Sequence, residues 1–302
     1  MNSMKQIAKN ARLLVLGAGL LCGTTLHGAE KIKILLIDGQ NNHKWKQTTP
    51  VLVEALEGCG QFDVKVSTTP PKKAPQSAWK SWNPDFSAFD AVLGNYNGEP
   101  WPEKVQKDFE AFVKNGGGFV VVHAADNSFP ECLEYNKMIG VGGWYGRVVG
   151  PKTPWVYVEG GKVVRVTEPA QEAGTHGKRE PYVVENIVAD HPITKGLPAK
   201  WMHTRDEMYS RLCGPAENMT ILATGFSTIT KHNEPLLMVI DYGKGRVFHT
   251  VLGHDEEAMR CRGFYTTLQR GTEWAATGKV VRTAKVPDDF PTAKTISAVP
   301  KP

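Results

Sequence analysis

The 302-residue sequence predicts an α/β protein with an open, mostly parallel β-sheet and helices on both faces. Two short apolar runs, at residues 32–37 and 119–122, are typical of parallel strands buried on both faces. Amphipathic segments and glycine-rich turns separate such runs along the chain. Strands and helices therefore alternate, and this alternation predicts right-handed crossovers between parallel strands.

The first half of the chain contains the clearest elements. Predicted strands lie at residues 32–37, 64–66, 91–93 and 119–122. The first helix is expected to begin with Thr49 as N-cap and Pro50 in its first turn, positions that favour these residue types. A second helix starts at Pro102-Glu103 and ends before three glycines at 116–118, because glycine readily forms a left-handed cap.

The second half is less regular. Residues 140–200 are rich in glycine and proline, which indicates an elaborated middle insertion in the same domain. A hairpin is predicted to join residues 236–240 to residues 246–252 through a glycine-containing turn. A final helix is predicted at residues 256–276.

The ends of the chain have compositions that differ from the rest. Three basic residues precede an apolar run at residues 13–22, and small residues offer a cleavage site before Glu30. We interpret residues 1–29 as a signal peptide, with an N-terminal core helix as the alternative. The organisation is then a signal peptide at 1–29, an α/β domain at 30–283 and a disordered tail at 284–302. The protein is expected to be exported, periplasmic or secreted, without a stable membrane span.

Net charge argues against nucleic acid as a partner. The formal charge of +5 falls to +2 without the leader, which holds three basic residues and no acidic residue. The remaining basic residues are interleaved with acidic ones and form no block. Cys59, Cys132, Cys213 and Cys261 have no zinc-type spacing, so disulfides and buried free thiols both remain open.

Polar side chains follow the predicted strands, where an open parallel sheet binds its ligands. The candidates at these strand ends are His43, Tyr96, Asn97, His123, His254 and Asp255. Histidines beside carboxylates suit metal binding or acid–base chemistry near neutral pH. Three of these residues also have a structural alternative. His123 could cap a strand, His43 could be a solvated side chain, and Asp255 could belong to an acidic first helical turn.

Several other chemistries are poorly supported. The sequence has neither a GxSxG nucleophile elbow nor a Walker A motif. His123 occupies the strand end where a cysteine nucleophile would be expected, so glutamine amidotransferase activity is not predicted.

Four motifs in order resemble the ThuA-like (trehalose-utilisation) family. These motifs are Gly116–His123, His191–Pro198, Asp206–Tyr209 and Tyr242–Asp255, within a resemblance that spans residues 31–281. The resemblance implies the class I glutamine amidotransferase-like, flavodoxin-like fold and a role in carbohydrate metabolism, including that of oxidised (3-keto) glycosides. Through the third motif it adds Glu207 as a metal ligand or general base; the equal alternative is that Asp206 or Glu207 forms a helix or turn cap.

One position departs from the family pattern. Many relatives carry a histidine after the Gly-Gly-aromatic segment, whereas Arg147 follows Gly142–Gly146 here. Arg147 is expected to bind ligand instead, and His176 and His232 are candidates to compensate. Trp144 offers an aromatic face for a sugar ring.

Two functions follow from these residues. The first is a carbohydrate-active hydrolase or lyase with His123, His254, Glu207 and Asp255 as catalytic residues. Its expected substrate-binding residues are His43, Tyr96, Asn97, Trp144, Arg147 and His176, and a divalent metal such as zinc would be held by His43, His123, His254 and Glu207. The second is a non-catalytic carbohydrate-binding protein. Both take a small carbohydrate ligand, and a homo-oligomer remains open.

Overall fold

The computed structural model describes residues 30–301. The expected signal peptide at 1–29 lies outside the described residues. Within residues 30–301, no helix is both long and apolar enough to cross a membrane.

The parallel half of the sheet contains five strands. They are β1 (Ile32–Asp38), β2 (Phe62–Thr68), β3 (Ala91–Gly94), β4 (Gly118–Val122) and β11 (Gly245–Thr250), in the spatial order β2-β1-β3-β4-β11. Every neighbouring pair in this half is parallel. The runs of aliphatic residues predicted β1, β3 and β4 because both faces of these strands are covered, whereas the edge strand β2 is largely exposed.

The other half of the sheet is antiparallel. It contains β5 (Trp155–Glu159), β6 (Lys162–Val166), β7 (Glu180–Asn186), β8 (Lys200–Asp206), β9 (Met219–Phe226) and β10 (Asn233–Tyr242). From β11 the order continues β10-β9-β7-β8, while β5 pairs with β10 and β6. The prediction of a mostly parallel sheet is therefore wrong, and the sheet is mixed.

A tight turn explains where the strand direction changes. Tyr242 of β10 lies opposite Gly245 of β11, so only two residues connect the strands. A parallel connection requires a crossover of about a dozen residues or more, whereas a two-residue turn forces antiparallel pairing. Gly243, at φ +60°, provides the backbone conformation that this turn needs.

Six helices accompany the sheet in the described chain. They are α1 (Trp45–Glu57), α2 (Gln76–Ser81), α3 (Glu103–Lys114), α4 (Leu133–Ile139), α5 (Glu256–Met259) and α6 (Arg262–Thr277). Helices cover both faces of the sheet, and successive side chains along a strand pack against opposite layers. Phe119 of β4 packs against Phe109 of α3, with ring centroids 4.9 Å apart. On the other face, a Cβ on Gly118 would lie 2.6 Å from the backbone of Ala275 in α6, so glycine permits this close approach.

Two helix boundaries differ from the sequence-based expectation. Helix α1 begins at Trp45 rather than after Thr49, and Pro50 lies inside it. The Thr49 hydroxyl instead donates to Asp38 Oδ2 at 2.8 Å. The single helix expected at 256–276 is split, because the backbone leaves the helical conformation between α5 and α6.

The C-terminal residues also differ from the expected disordered tail. Arg262 N donates to Ser297 O at 2.8 Å, and Val299 N donates to Arg260 O at 2.8 Å. Backbone pairing with the start of α6 therefore orders this segment. Its low apolar periodicity concealed this, because backbone hydrogen bonds do not depend on side-chain pattern.

Cys59, Cys132, Cys213 and Cys261 are free thiols in the structure. The sequence left open whether these cysteines form disulfides or are free thiols, and in the structure they are unpaired. Cys213 and Cys261 are buried, as is common for unpaired cysteine.

Buried Glu234 makes the stability of the fold depend on pH. This side chain is 0% exposed, accepts a hydrogen bond from the Thr230 hydroxyl at 2.7 Å and contacts Trp155 Nε1 at 3.2 Å. Burial raises the pKa of Glu234 to about 7. Between its unfolded pKa near 4.5 and a pH of about 7, the folded state holds a proton that the unfolded state has lost.

We expect the free energy of unfolding to fall as pH rises through this window. A pKa difference of this size corresponds to about 3 kcal/mol. Glutamine stays neutral, so Glu234→Gln should lose this part of the pH dependence of the free energy of unfolding when denaturation is measured from pH 4 to 8. An identical slope in both proteins would contradict the assignment.

Candidate metal centre

Four side chains converge beyond the carboxyl ends of the strands. His43 follows β1, His123 follows β4, His254 follows β11, and Glu207 follows β8. Each offers one potential ligand atom, and these four atoms lie within 4.8 Å of one another. We call this group the His3Glu cluster.

His123 has the geometry of an oriented metal ligand. Its Nδ1 lies 2.6 Å from the carbonyl oxygen of Val251, which favours a proton on that nitrogen. The other nitrogen, Nε2, is buried and has no hydrogen-bond partner among residues 30–301. Burial lowers the pKa of His123, so the ring is kept neutral with a lone pair on Nε2. Neutral imidazole held through its second nitrogen is the form that binds metals.

His43 lies against the other two histidines of the cluster. Its ring centroid is 4.9 Å from that of His123 and 4.4 Å from that of His254. Burial, and then the charges of these two neighbours, lower the pKa of His43 to about 3. His43 is therefore neutral at physiological pH. Its Nε2 lies 2.9 Å from the hydroxyl of Tyr209.

Glu207 and His254 form an ion pair across the cluster. Glu207 Oε2 lies 2.9 Å from His254 Nδ1. Burial opposes the charge on both groups, but the close contact between them prevails: it lowers the pKa of Glu207 and raises that of His254. Without a metal, a shared proton thus compensates the negative charge of Glu207.

A buried carboxylate, Asp206, holds two of these groups in position. Its oxygens accept hydrogen bonds from the backbone N–H of Glu207 at 2.8 Å, Gly253 at 2.7 Å and His254 at 3.0 Å. The Asp206 side chain also lies 2.8 Å from His203 Nε2. Burial would raise the pKa of Asp206, but the contact with His203 prevails and lowers it to about 2. The ionised carboxylate ties the end of β8 to the loop after β11.

A cavity of about 530 Å³ opens over the cluster. It is lined by Asn42, His43, Asn127, Trp144, Tyr145, Glu172, His176, Glu207 and Tyr209. Trp144 packs edge-on against Tyr209, with ring centroids 4.5 Å apart. Gly174 makes room for this arrangement, because a Cβ there would lie 2.5 Å from the Trp144 ring. His176 lies at the cavity with its Nδ1 3.9 Å from Glu207 Oε1.

Tyr96 is not available to a ligand, contrary to the sequence-based expectation. Its side chain is 2% exposed, and its hydroxyl donates to the carbonyl oxygen of Glu99 at 2.5 Å. The ring packs against Trp101 and Phe129 in the core. Tyr96 follows the end of β3, as the sequence predicted, but its side chain points into the core.

Arg147 is also not a ligand-binding residue. Its guanidinium is buried and donates to the carbonyl oxygens of Asn127, Ser128 and Gly143 and to the side chain of Asn136. These acceptors occupy all of its nitrogens. Arg147 therefore fixes the loop that carries Trp144, and does not itself replace the histidine found in many relatives.

Two further candidates lie beside the cluster cavity. Asn97 forms a reciprocal side-chain and backbone pair with Asn42 and lines a larger neighbouring cleft. Asp255 caps α5 by accepting from Ala258 N at 3.0 Å and pairs with Arg179 at 2.6 Å. The Asp255 carboxylate is thus engaged outside the cluster. The alternative that placed Asp255 at the start of a helix predicted this role.

Sequence reasoning missed the role of Asp206, which it treated only as a turn cap. The available signal was two adjacent acidic residues in one of the family-like motifs. The pleat of a strand directs successive side chains to opposite sides, so such a pair can place one carboxylate in the core and one in a cavity.

Comparisons with known proteins agree with this fold and these motifs. The family model described as trehalose utilisation (ThuA) matches residues 33–275. The structure is similar to that of a ThuA-like protein from Parabacteroides merdae, with 43% identity over 89% of this chain and 98% of that one and a TM-score of 0.84. A ThuA-like protein from Bacteroides uniformis shares the fold at 17% identity, over 84% of this chain and 96% of that one, with a TM-score of 0.51. No curated protein matches the chain significantly. With a family model covering most of its length and a close structural relative, the chain belongs to the ThuA family.

Proposed function

We propose that this chain is an exported, metal-dependent enzyme that hydrolyses or eliminates at a sugar or an oxidised (3-keto) glycoside. Family membership supports a carbohydrate-related role in general. The signal-like composition of residues 1–29 supports export. The observation that carries the enzymatic proposal is the His3Glu cluster with its unpartnered buried nitrogen on His123.

The donor set fits zinc or a similar divalent metal. Three imidazole nitrogens and one carboxylate oxygen are ligands that Zn²⁺ accepts, and His43, His123, Glu207 and His254 would supply them. Burial keeps His43 and His123 neutral, which favours a cation over a proton at these nitrogens. A metal bound here would supply Lewis acidity toward a carbonyl oxygen of the substrate.

The cavity residues have separate tasks in this proposal. Trp144 presents an aromatic surface against which a pyranose ring can pack. His176 takes and returns a proton: its Nδ1 lies 3.0 Å from the carbonyl oxygen of Gly177, which leaves Nε2 as the basic nitrogen. His176 Nδ1 lies 3.9 Å from Glu207 Oε1.

A carbohydrate-binding protein without turnover is the alternative. The aromatic lining of the cavity would serve that function equally well. The His3Glu cluster favours the enzyme, because a sugar is held by aromatic rings and hydrogen bonds and does not need three histidines around a carboxylate.

Replacing His123 should abolish tight metal binding. We expect His123→Ala to weaken zinc affinity by about 100-fold or more, since it removes an oriented ligand. Competition titration with a zinc chelator and elemental analysis would measure this. His232→Ala is the matched control, because His232 stacks on Tyr157 with centroids 3.9 Å apart and lies outside the cluster. Equal affinity in both variants would contradict the metal site.

Replacing His176 should separate proton transfer from metal binding. We expect His176→Ala to retain its zinc but to lose about 10²- to 10⁴-fold in kcat on methyl 3-keto-β-glucoside. Turnover would be followed by product release with chromatography. Unchanged kcat would exclude the role of His176, and binding of the glycoside without turnover by the native protein would favour the non-catalytic alternative.

Replacing Asp206 should loosen the site without removing a ligand. Asp206→Asn cannot accept all four hydrogen bonds, so we expect zinc affinity to fall by about 10- to 100-fold. Asp255→Asn is the matched control because asparagine also caps helices. Isothermal titration of both variants with zinc provides the comparison. A control that loses as much affinity as Asp206→Asn would overturn the positioning role.

A further inference from the structure

A second and larger cleft, of about 950 Å³, adjoins the cavity over the His3Glu cluster. We call it the side cleft. Asn42, Asn127 and Tyr145 line both spaces, so a single ligand can extend from one into the other. Ligand pockets for drug-sized molecules span about 300–1,000 Å³, which places the side cleft at the upper end of that range.

Apolar surface predominates in the lining of the side cleft, which also contains amide side chains such as Gln40, Asn41 and Gln106. Trp45, Phe129 and three prolines at positions 71, 100 and 130 contribute to its lining. Aromatic rings and prolines present rigid surfaces that lose little conformational entropy when a ligand packs on them. Such a surface suits a planar aromatic group.

The charged groups around the side cleft balance one another. Lys46 and Lys72 are matched by Glu99 and Glu131. Glu99 is already engaged, since it accepts hydrogen bonds from the backbone N–H of Lys73. The balance favours a neutral occupant over an anion or a cation.

Tyr145 marks the boundary between the two spaces. Its side chain is 53% exposed although it is a large aromatic residue. Both Tyr145, at φ +50°, and Trp144, at φ +53°, adopt the left-handed conformation that non-glycine residues avoid. Such strain is maintained where the surrounding structure enforces it, and it clusters at ligand-binding sites. Here it directs the Trp144 ring to the cluster cavity and the Tyr145 ring to the place where the cavity and the side cleft meet.

We propose that the side cleft binds the aromatic aglycone of a glycoside whose sugar ring lies over the His3Glu cluster. This inference rests on the proposed function and narrows its substrate class to aryl glycosides. Continuity with the cluster cavity places the cleft beside the sugar, and its apolar walls and balanced charge select a neutral planar group over a second sugar.

Binding of unoxidised probes tests the preference without turnover. We expect zinc-loaded protein to bind 4-methylumbelliferyl β-D-glucoside at least about tenfold more tightly than methyl β-D-glucoside, as a buried aromatic contact predicts. Calorimetric titration gives both dissociation constants. Equal affinity would overturn the inference, and so would cellobiose binding as tightly as the aryl glucoside.

Variants assign the preference to the side cleft. Tyr145→Gly removes the ring while glycine adopts φ +50° without strain, so this variant should fold. We expect Tyr145→Gly and Trp45→Ala each to reduce the preference for the aryl glucoside over the methyl glucoside to about threefold or less. Phe226→Ala is the matched control, because Phe226 is an exposed aromatic residue that does not line the side cleft. A preference that survives both cleft variants would contradict the assignment.

Free 4-methylumbelliferone separates this inference from the proposed function. It should bind chelator-treated and zinc-loaded protein equally, and Trp45→Ala should weaken that binding. If the protein binds 4-methylumbelliferone but does not bind zinc, the proposed function alone is refuted. Normal zinc binding with no aglycone binding would refute this inference alone.

Discussion

The candidate site depends on the hydrogen bonds that one buried carboxylate accepts. In the sheet, β8 is an edge strand and lies three strands away from β10 and four from β11. Asp206 at its end nevertheless accepts hydrogen bonds from Gly253 N and His254 N after β11. The antiparallel half therefore returns to the carboxyl ends of the parallel half, where Glu207 meets the histidines.

This contact gives the mixed sheet a functional consequence. The parallel half alone brings three histidines together, since the carboxyl ends of its strands share one edge. The carboxylate of the cluster comes from the antiparallel half. A site with both neutral donors and a negative charge is thus assembled across the boundary that the two-residue turn between β10 and β11 creates.

Much of the parallel half could be predicted from the sequence. Apolar runs such as Ile32–Ile37 indicate buried strands, and the rule that ligands bind beyond their carboxyl ends identified His43, His123 and His254. Glu207 required the family resemblance, because no periodic pattern predicted β8. In the antiparallel half, the hairpin that contains β10 was predicted, whereas β7 and β8 were missed because polar and apolar residues are mixed along them.

Side-chain direction and long-range pairing could not be read from residue types. Tyr96 and Arg147 have the chemistry of ligand-binding residues, but one packs in the core and the other supports a loop. Residues 284–301 pair through their backbone, which leaves no mark in the side-chain pattern. In each case, the decisive partner is distant in sequence or is a backbone group.

Anomalous diffraction from crystals grown with zinc would show whether the His3Glu cluster holds a metal. We expect one strong peak at the zinc edge within about 2.0–2.2 Å of His43, His123 and His254 nitrogens and a Glu207 oxygen. Strong peaks only elsewhere, with Glu207 still paired to His254 as in the metal-free arrangement, would contradict it.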